Sequence, residues 1–288
     1  MGAIITIHSY KGGTGKTCVA ISLAEMLAMK GKRVCLVDLD FHAPNIGFAF
    51  DIEKADLSIN DYLNVGCEVN DILFDLTDRY GYDGRLLIAP ADPSIEAIRD
   101  MSAKDRKWYM RALGRLLALR NSLLEEQGLD YLIFDASSGI GYSSINAVVT
   151  ADIELLVNNM DTVQIEGAKR MIEELYDLFE KKIGLLLNKV PIKGRSLTEV
   201  EAQVTVECES LYNLPVLGVI PYFYEILETG VSSSFLKENP THLFTKILEE
   251  IAVRVDSFSF GSLVVRKDSE LMKIYKEQFI KKVTGVRM

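Results

Sequence analysis

An α/β fold is expected for this chain, with a mostly parallel, twisted sheet of about seven to eight strands and helices on both faces. Three observations lead there. Short, nearly continuous apolar runs recur along the 288 residues, as strands covered on both faces require. Longer helical patterns separate these runs, which suits crossovers between parallel strands. The first run also passes through a glycine-rich turn straight into the first helix, the arrangement of a phosphate-binding loop.

The predicted strands are Ala3–His8, Arg33–Asp38, Arg85–Ala89, Tyr131–Asp135, Ile153–Val157, Ile183–Asn188 and Pro215–Ile220. The predicted helices are Lys16–Lys30, Lys104–Gln127, Ser143–Thr150, Val163–Lys181, Leu197–Leu211 and His242–Val255. Two further short helices are expected within Leu57–Asp75. No repeat or Gly/Ser-rich linker divides the chain, so one domain is read over residues 1–257, followed by a tail over 258–288.

Composition narrows the function. The chain is 48% apolar and 25% charged, a globular balance that excludes a disordered chain. Its net charge of -9 argues against a body that coats nucleic acid or an anionic membrane. The opening MGAIITIHSY enters an apolar strand with no basic leader or cleavage pattern, and no apolar run reaches the length of a membrane span, so a cytoplasmic location is expected. Cys18, Cys35, Cys67 and Cys208 are scattered and make no Cys-x-x-Cys pair, which favours buried thiols over a zinc site. His8, His42 and His242 have no ligand spacing.

The strongest signal is Lys11-Gly12-Gly13-Thr14-Gly15-Lys16-Thr17 between the first strand and the first helix. Glycines let main-chain N–H groups turn inward around a polyphosphate, and the helix N-terminus adds a favourable dipole. Lys16 supplies positive charge to the terminal phosphates, and the Thr17 hydroxyl is suited to Mg2+. Asp38 and Asp40 end the second strand, and Asp135 ends another. A carboxylate at such a strand end can hold Mg2+ through water or position an attacking water, although a turn or helix cap also uses Asp. Asn188 ends a later strand, where its amide suits an adenine edge or an ordinary turn.

Taken together these segments resemble the MinD/ParA family of deviant Walker A P-loop ATPases, closer to the MinD and FlhG branch. The likeness covers about residues 2–256. Val34–Asp40 resembles the second strand and switch I, Tyr131–Ile140 resembles Walker B and switch II, and Leu185–Lys189 and Leu217–Pro221 match two later segments. The resemblance implies a single-domain P-loop NTPase that binds ATP and ADP with Mg2+ and hydrolyses ATP slowly, stimulated by a protein partner. It implies nucleotide contacts from Lys11, Gly12, Gly13, Thr14, Gly15, Lys16, Thr17, Cys18, Asn188 and Pro221. Catalytic roles fall on Lys11, Lys16 and Asp40, and metal contacts on Thr17, Asp38 and Asp135. Lys11 is the signature lysine, implied to reach the nucleotide of a second subunit, so that an ATP-dependent homodimer is the active form. Family members often carry Pro in switch II, where this chain has Ser137 and Ser138.

Two regions suit a partner. Residues 264–288 carry seven basic against three acidic side chains, and Leu271, Met272, Tyr275, Phe279, Val283 and Val286 share one helical face. Such a tail suits either an anionic membrane surface or packing against protein. Lys104, Lys107, Arg111 and Arg115 recur at helical spacing and could contact DNA phosphates, although a solvated helix face is the preferred account. The leading reading is therefore an ATP-driven dimerisation switch that positions a division site, flagellum or similar assembly at a membrane. A ParA-like DNA-partitioning ATPase is the runner-up. An iron-protein-like metal-cluster carrier is disfavoured by the missing cysteine pair.

Overall fold

The structure, a computed structural model, describes residues 2–52, 55–229 and 235–261. Eight strands form one sheet: β1 (Ala3–His8), β2 (Arg33–Leu39), β3 (Phe74–Asp75), β4 (Arg85–Ala89), β5 (Tyr131–Ala136), β6 (Ile153–Asn158), β7 (Lys182–Val190) and β8 (Val216–Pro221). Their order is β3-β4-β2-β5-β1-β6-β7-β8. Every pairing is parallel except that of β3, which runs antiparallel to β4 at the edge. The seven expected strands are all present, shifted by no more than two residues at an end. β3 escaped notice because two residues carry no alternation to read.

The helices are α1 (Lys16–Met29), α2 (Ile46–Ala49), α3 (Ile59–Leu63), α4 (Thr77–Tyr80), α5 (Ile95–Ser102), α6 (Arg106–Arg120), α7 (Tyr142–Thr150), α8 (Thr162–Met171), α9 (Leu197–Tyr212), α10 (Tyr224–Thr229), α11 (Phe235–Glu238) and α12 (Leu243–Phe260). The helix expected over Lys104–Gln127 starts later, because Asp105 caps it by accepting from the Trp108 N–H at 2.8 Å. It ends in a π turn over Asn121–Glu126. The segment before it forms α5, capped by Ser94. The helix expected over Val163–Lys181 likewise widens into a π turn at Ile172–Tyr176 and closes with a 3-10 turn at Asp177–Phe179.

Alternation along the strands divides the core between the two faces of the sheet. Ile5 and Ile7 of β1 pack with Val19, Leu23 and Leu27 of α1 and with Leu248 and Ile251 of α12. Ile4, pointing the other way, joins the cluster of Phe134, Leu116 and Leu119. A third cluster on the β6–β8 half contains Met171, Tyr176, Val200 and Tyr212. α1 is buried nearly all round because α12 covers its outer side.

α12 runs three residues past the expected boundary at 257. Its end is held at the edge of the sheet where the parallel strands begin: Lys182 Nζ donates to the carbonyls of Phe258 and Gly261, and Phe260 packs on Tyr131. The phosphate loop lies at the opposite edge, after the end of β1. The tail proposed over residues 264–288 lies outside the described residues.

Candidate functional site

β1 is the pivot of the sheet. β5 and β6 flank it, and β2 lies beyond β5, so chain order reverses around the carboxyl end of β1. Open α/β sheets place their ligand crevice at such a reversal. The segment Lys11–Thr17 turns there into α1. Gly13 and Gly15 take left-handed φ angles of 82° and 89°, and Gly15 stands at the N-cap. A Cβ on Gly15 would also come within 2.4 Å of Asn188 Nδ2, so conformation and space both demand glycine.

Two residues from the end of β7 brace this loop from behind. Asn188 Nδ2 donates to the Thr14 carbonyl at 2.8 Å, and Lys189 Nζ donates to the Gly13 carbonyl at 2.8 Å. Lys189 adopts a left-handed φ of 57°, and its N–H donates to Asn188 Oδ1 at 2.9 Å. With their carbonyls tied back, Thr14 and Gly13 hold the loop in its turned-in shape. Asn188 is thus in reach of the loop, as expected, but the part its amide plays here is structural support. Sequence reasoning assigned nothing to Lys189, although it directly follows Asn188.

Lys11, Gly12 and Gly13 are exposed, whereas Lys16 is buried. Among the described residues the Lys16 ammonium has no hydrogen bond or ion pair. The buried Thr14 hydroxyl also lacks a partner. Beside Lys16 and Thr17 lies Asp135, fully enclosed, with neither carboxylate oxygen hydrogen-bonded. Burial pushes its carboxyl up to about 7 against the pull of the Thr17 hydroxyl and the Lys16 charge. A buried ammonium and a buried carboxylate that make no hydrogen bond are costly unless something else completes them.

Asp38 sits opposite Asp135 in the register of β2 and β5. Its oxygens accept from the N–H groups of Asp40 at 3.0 Å, Asn45 at 3.1 Å and Ile46 at 3.2 Å. Of the roles expected for Asp38, the loop-holding one is therefore on view. Burial and the facing Asp135 raise its carboxyl well above the ordinary range. Asp40, half-buried, projects from the loop that Asp38 organises. Ser143 Oγ donates to the Leu39 carbonyl at 3.0 Å and ties this loop to the start of α7. Pro221 ends β8 next to Val190, and the following Tyr222 N–H donates to the Val190 carbonyl. Cys18, in the first turn of α1, is held protonated by burial, its thiol pushed up to about 12. Its thiol is no ready ligand; any share it has in phosphate binding falls to its main chain.

The site thus combines a glycine-shaped anion cradle, a buried cation and an uncompleted carboxylate. A family model described as the CobQ/CobB/MinD/ParA nucleotide binding domain matches residues 5–233. The chain belongs to the MinD/ParA family. The septum site-determining protein MinD of Bacillus subtilis is 30% identical to it over 292 residues, spanning 100% of both chains. The cell division ATPase MinD of Pyrococcus furiosus superposes with a TM-score of 0.70 at 25% identity, covering 89% of this chain and 99% of that one. A Pyrococcus horikoshii MinD complexed with Mg-ADP gives 0.71 at 23% identity, covering 90% and 98%. A nucleotide-binding family agrees with the phosphate-loop order β1-loop-α1. Among the described residues of this MinD/ParA protein, no helix is long and apolar enough to cross a membrane.

The basic stripe expected on α6 is largely committed within the protein. Lys104 precedes the helix and pairs with Asp100 at 2.7 Å. Arg115 donates to the carbonyls of Tyr62 at 3.1 Å and Cys67 at 2.8 Å, and lies 3.8 Å over the Tyr62 ring. Lys107 and Arg111 remain exposed. Two cations are a small base for phosphate-tracking contacts.

Proposed function

We propose that this protein is a Mg2+-dependent ATPase that works as an ATP-driven dimerisation switch for spatial positioning at a membrane. The observation that carries the reading is Asp135, a buried carboxylate with no protein hydrogen bond, set beside Lys16 and Thr17 at the mouth of a glycine cradle. The residues fit a metal–triphosphate. Thr17 and Asp135 would hold the ion, with Asp38 next to them, and the ion would neutralise phosphate charge.

The rest of the chemistry belongs to the chain. The main-chain N–H groups of residues 12–18 and the Lys16 ammonium bind phosphate oxygens. Asp40 orients the attacking water. Asn188 and Pro221 flank the base. Exposed Lys11 supplies a cation to the nucleotide of a second subunit, which makes hydrolysis depend on a closed pair. An activating protein partner then sets the turnover, and reopening follows release of product.

Two facts favour the membrane over the DNA alternative as the surface. The residues 264–288 carry a basic excess on an otherwise acidic chain, and the α6 stripe has lost half its cations to internal contacts. Gel-filtration sizing with Mg2+ and ATPγS, set against Mg2+ and ADP, tests the switch. A dimer with the first and a monomer with the second is expected, and monomer in both would sink it. Co-sedimentation of the ATPγS form with phosphatidylglycerol vesicles or with duplex DNA separates the two surfaces.

A further inference from the structure

The nucleotide reading leaves one enclosed polar cluster without a task. His8 is the last residue of β1, three residues before Lys11, and is fully buried. Its Nε2 lies 2.9 Å from the Gly139 carbonyl oxygen, and its Nδ1 lies 2.6 Å from the Tyr176 hydroxyl. A carbonyl only accepts, so Nε2 carries the proton, and Nδ1 then accepts from Tyr176. Burial pushes the imidazole down to about 4, which keeps it neutral. Burial also holds the Tyr176 hydroxyl protonated.

Both ends of the cluster are fixed by special backbone. Tyr176 closes the π turn that continues α8, and the wide turn points its ring back at β1. Gly139 lies in the segment after β5 at a left-handed φ of 77°. Its own N–H donates to the Ser9 carbonyl at 2.9 Å. Gly139 is therefore tied to the end of β1 twice, through its N–H by Ser9 and through its carbonyl by His8. Ser144 Oγ is a second donor to the same carbonyl, at 2.8 Å.

We propose that His8 is a positioning residue that keeps Gly139 docked on β1, with its N–H spent on Ser9, and that Tyr176 fixes the imidazole for this task. The proposal rests on the nucleotide-binding reading above. Ser138 Oγ stands 3.7 Å from where a Cβ on Gly12 would sit, so the Gly139 segment borders the phosphate loop. A terminal phosphate that takes the Gly139 N–H takes it from the Ser9 carbonyl, and the His8 bond sets part of that cost. A diphosphate makes no such demand. His8 thereby tunes how strongly the protein prefers a triphosphate over a diphosphate.

The test compares His8→Asn with His8→Gln. The Asn amide reaches the Nδ1 position and keeps an acceptor for Tyr176 but cannot reach Gly139. The Gln amide nitrogen reaches the Nε2 position and keeps the donor. Calorimetry with Mg2+ gives the ATPγS and ADP affinities of each protein. The ATPγS-to-ADP preference should rise about 3- to 10-fold in His8→Asn, the scale of one lost hydrogen bond, and stay within about twofold of wild type in His8→Gln. An unchanged preference in His8→Asn, or the same shift in both variants, overturns the proposal while leaving the nucleotide site intact. Wild-type protein that binds neither nucleotide overturns both. Should His8→Asn not fold, 15N-histidine spectra of a His42→Gln, His242→Gln protein report His8 alone. An Nε2-protonated ring that responds to ATPγS and not to ADP is expected. An Nδ1-protonated ring, or equal responses to both, refutes the proposal.

Discussion

Lys16 and Asp135 are two buried charged residues of the site that the protein leaves without hydrogen bonds among the described residues. The ammonium lacks an ion pair among the described residues, and the carboxylate lacks a hydrogen bond. Replacing Lys16 with Ala should weaken Mg-ATPγS binding by about 10- to 100-fold, the worth of a hydrogen bond to a charged group, as read by calorimetry. Asp40→Ala should act differently. Phosphate release should fall by on the order of 10²-fold or more, as expected when a water-orienting group is lost, with nucleotide affinity kept. Equal loss of affinity in both variants would remove Asp40 from the chemistry. Most of this site was legible in the sequence, because a phosphate loop is local: glycines, lysine and threonine stand within seven residues. His8, Lys189 and Asn188's contact with Thr14 were not, because they join β1, β5 and β7 across more than a hundred residues of chain.

At the scale of elements, glycines in two helices show how packing decides the sign of one substitution. In α8, a Cβ on Gly167 would stand 2.0 Å from a ring atom of Tyr10, which leads into the phosphate loop. Gly167→Ala should destabilise by about 1–3 kcal/mol and also weaken nucleotide binding, since Tyr10 must move. In α6, Gly114 meets nothing within 4 Å, so Gly114→Ala should stabilise by about 0.5–1 kcal/mol through helix propensity alone. Urea unfolding of the two variants checks both signs. α1 carries a further test. Glu25 is buried, accepts from the Tyr82 hydroxyl at 2.8 Å, and is pushed up to about 8 by burial. Its protonated form is the one the fold favours. The stability it leaves intact below the usual carboxylate range is lost as pH climbs from that range through about 8, by up to about 5 kcal/mol. Glu25→Gln keeps an acceptor for Tyr82 and should remove that loss, so the stability gap between variant and wild type should widen from pH 5 to pH 9. A gap independent of pH would show that Glu25 ionises in the folded state without cost. The π turns after α6 and α8 were read as plain helix because their apolar spacing continues, and only packing reveals the wider turn.

For the whole molecule, the order of strands puts the phosphate loop at one edge of the sheet and the end of α12 at the other. A truncation meant to remove the basic tail should therefore follow Gly261. Cutting at Ser257 would take away Phe258 and Phe260, together with the carbonyls that Lys182 holds. The protein ending at Gly261 should melt within a few degrees of full length and still form the ATPγS dimer, while losing vesicle binding. Vesicle binding that survives this cut would locate the membrane contact elsewhere. The strand count and the parallel class follow from local pattern, since a strand covered on both faces is apolar throughout.

What the amino-acid sequence determined alone was the set of elements, the phosphate loop and the strand-end carboxylates, because hydrophobic period and glycine placement act over short stretches of chain. The tertiary structure decided which of those groups are already occupied. Asp38 is engaged by its own loop's N–H groups and Arg115 by carbonyls of a neighbouring segment, whereas Asp135 is left without a hydrogen-bond partner. Desolvation and hydrogen bonding depend on everything that surrounds a side chain, and those surroundings come from elements far apart in the chain.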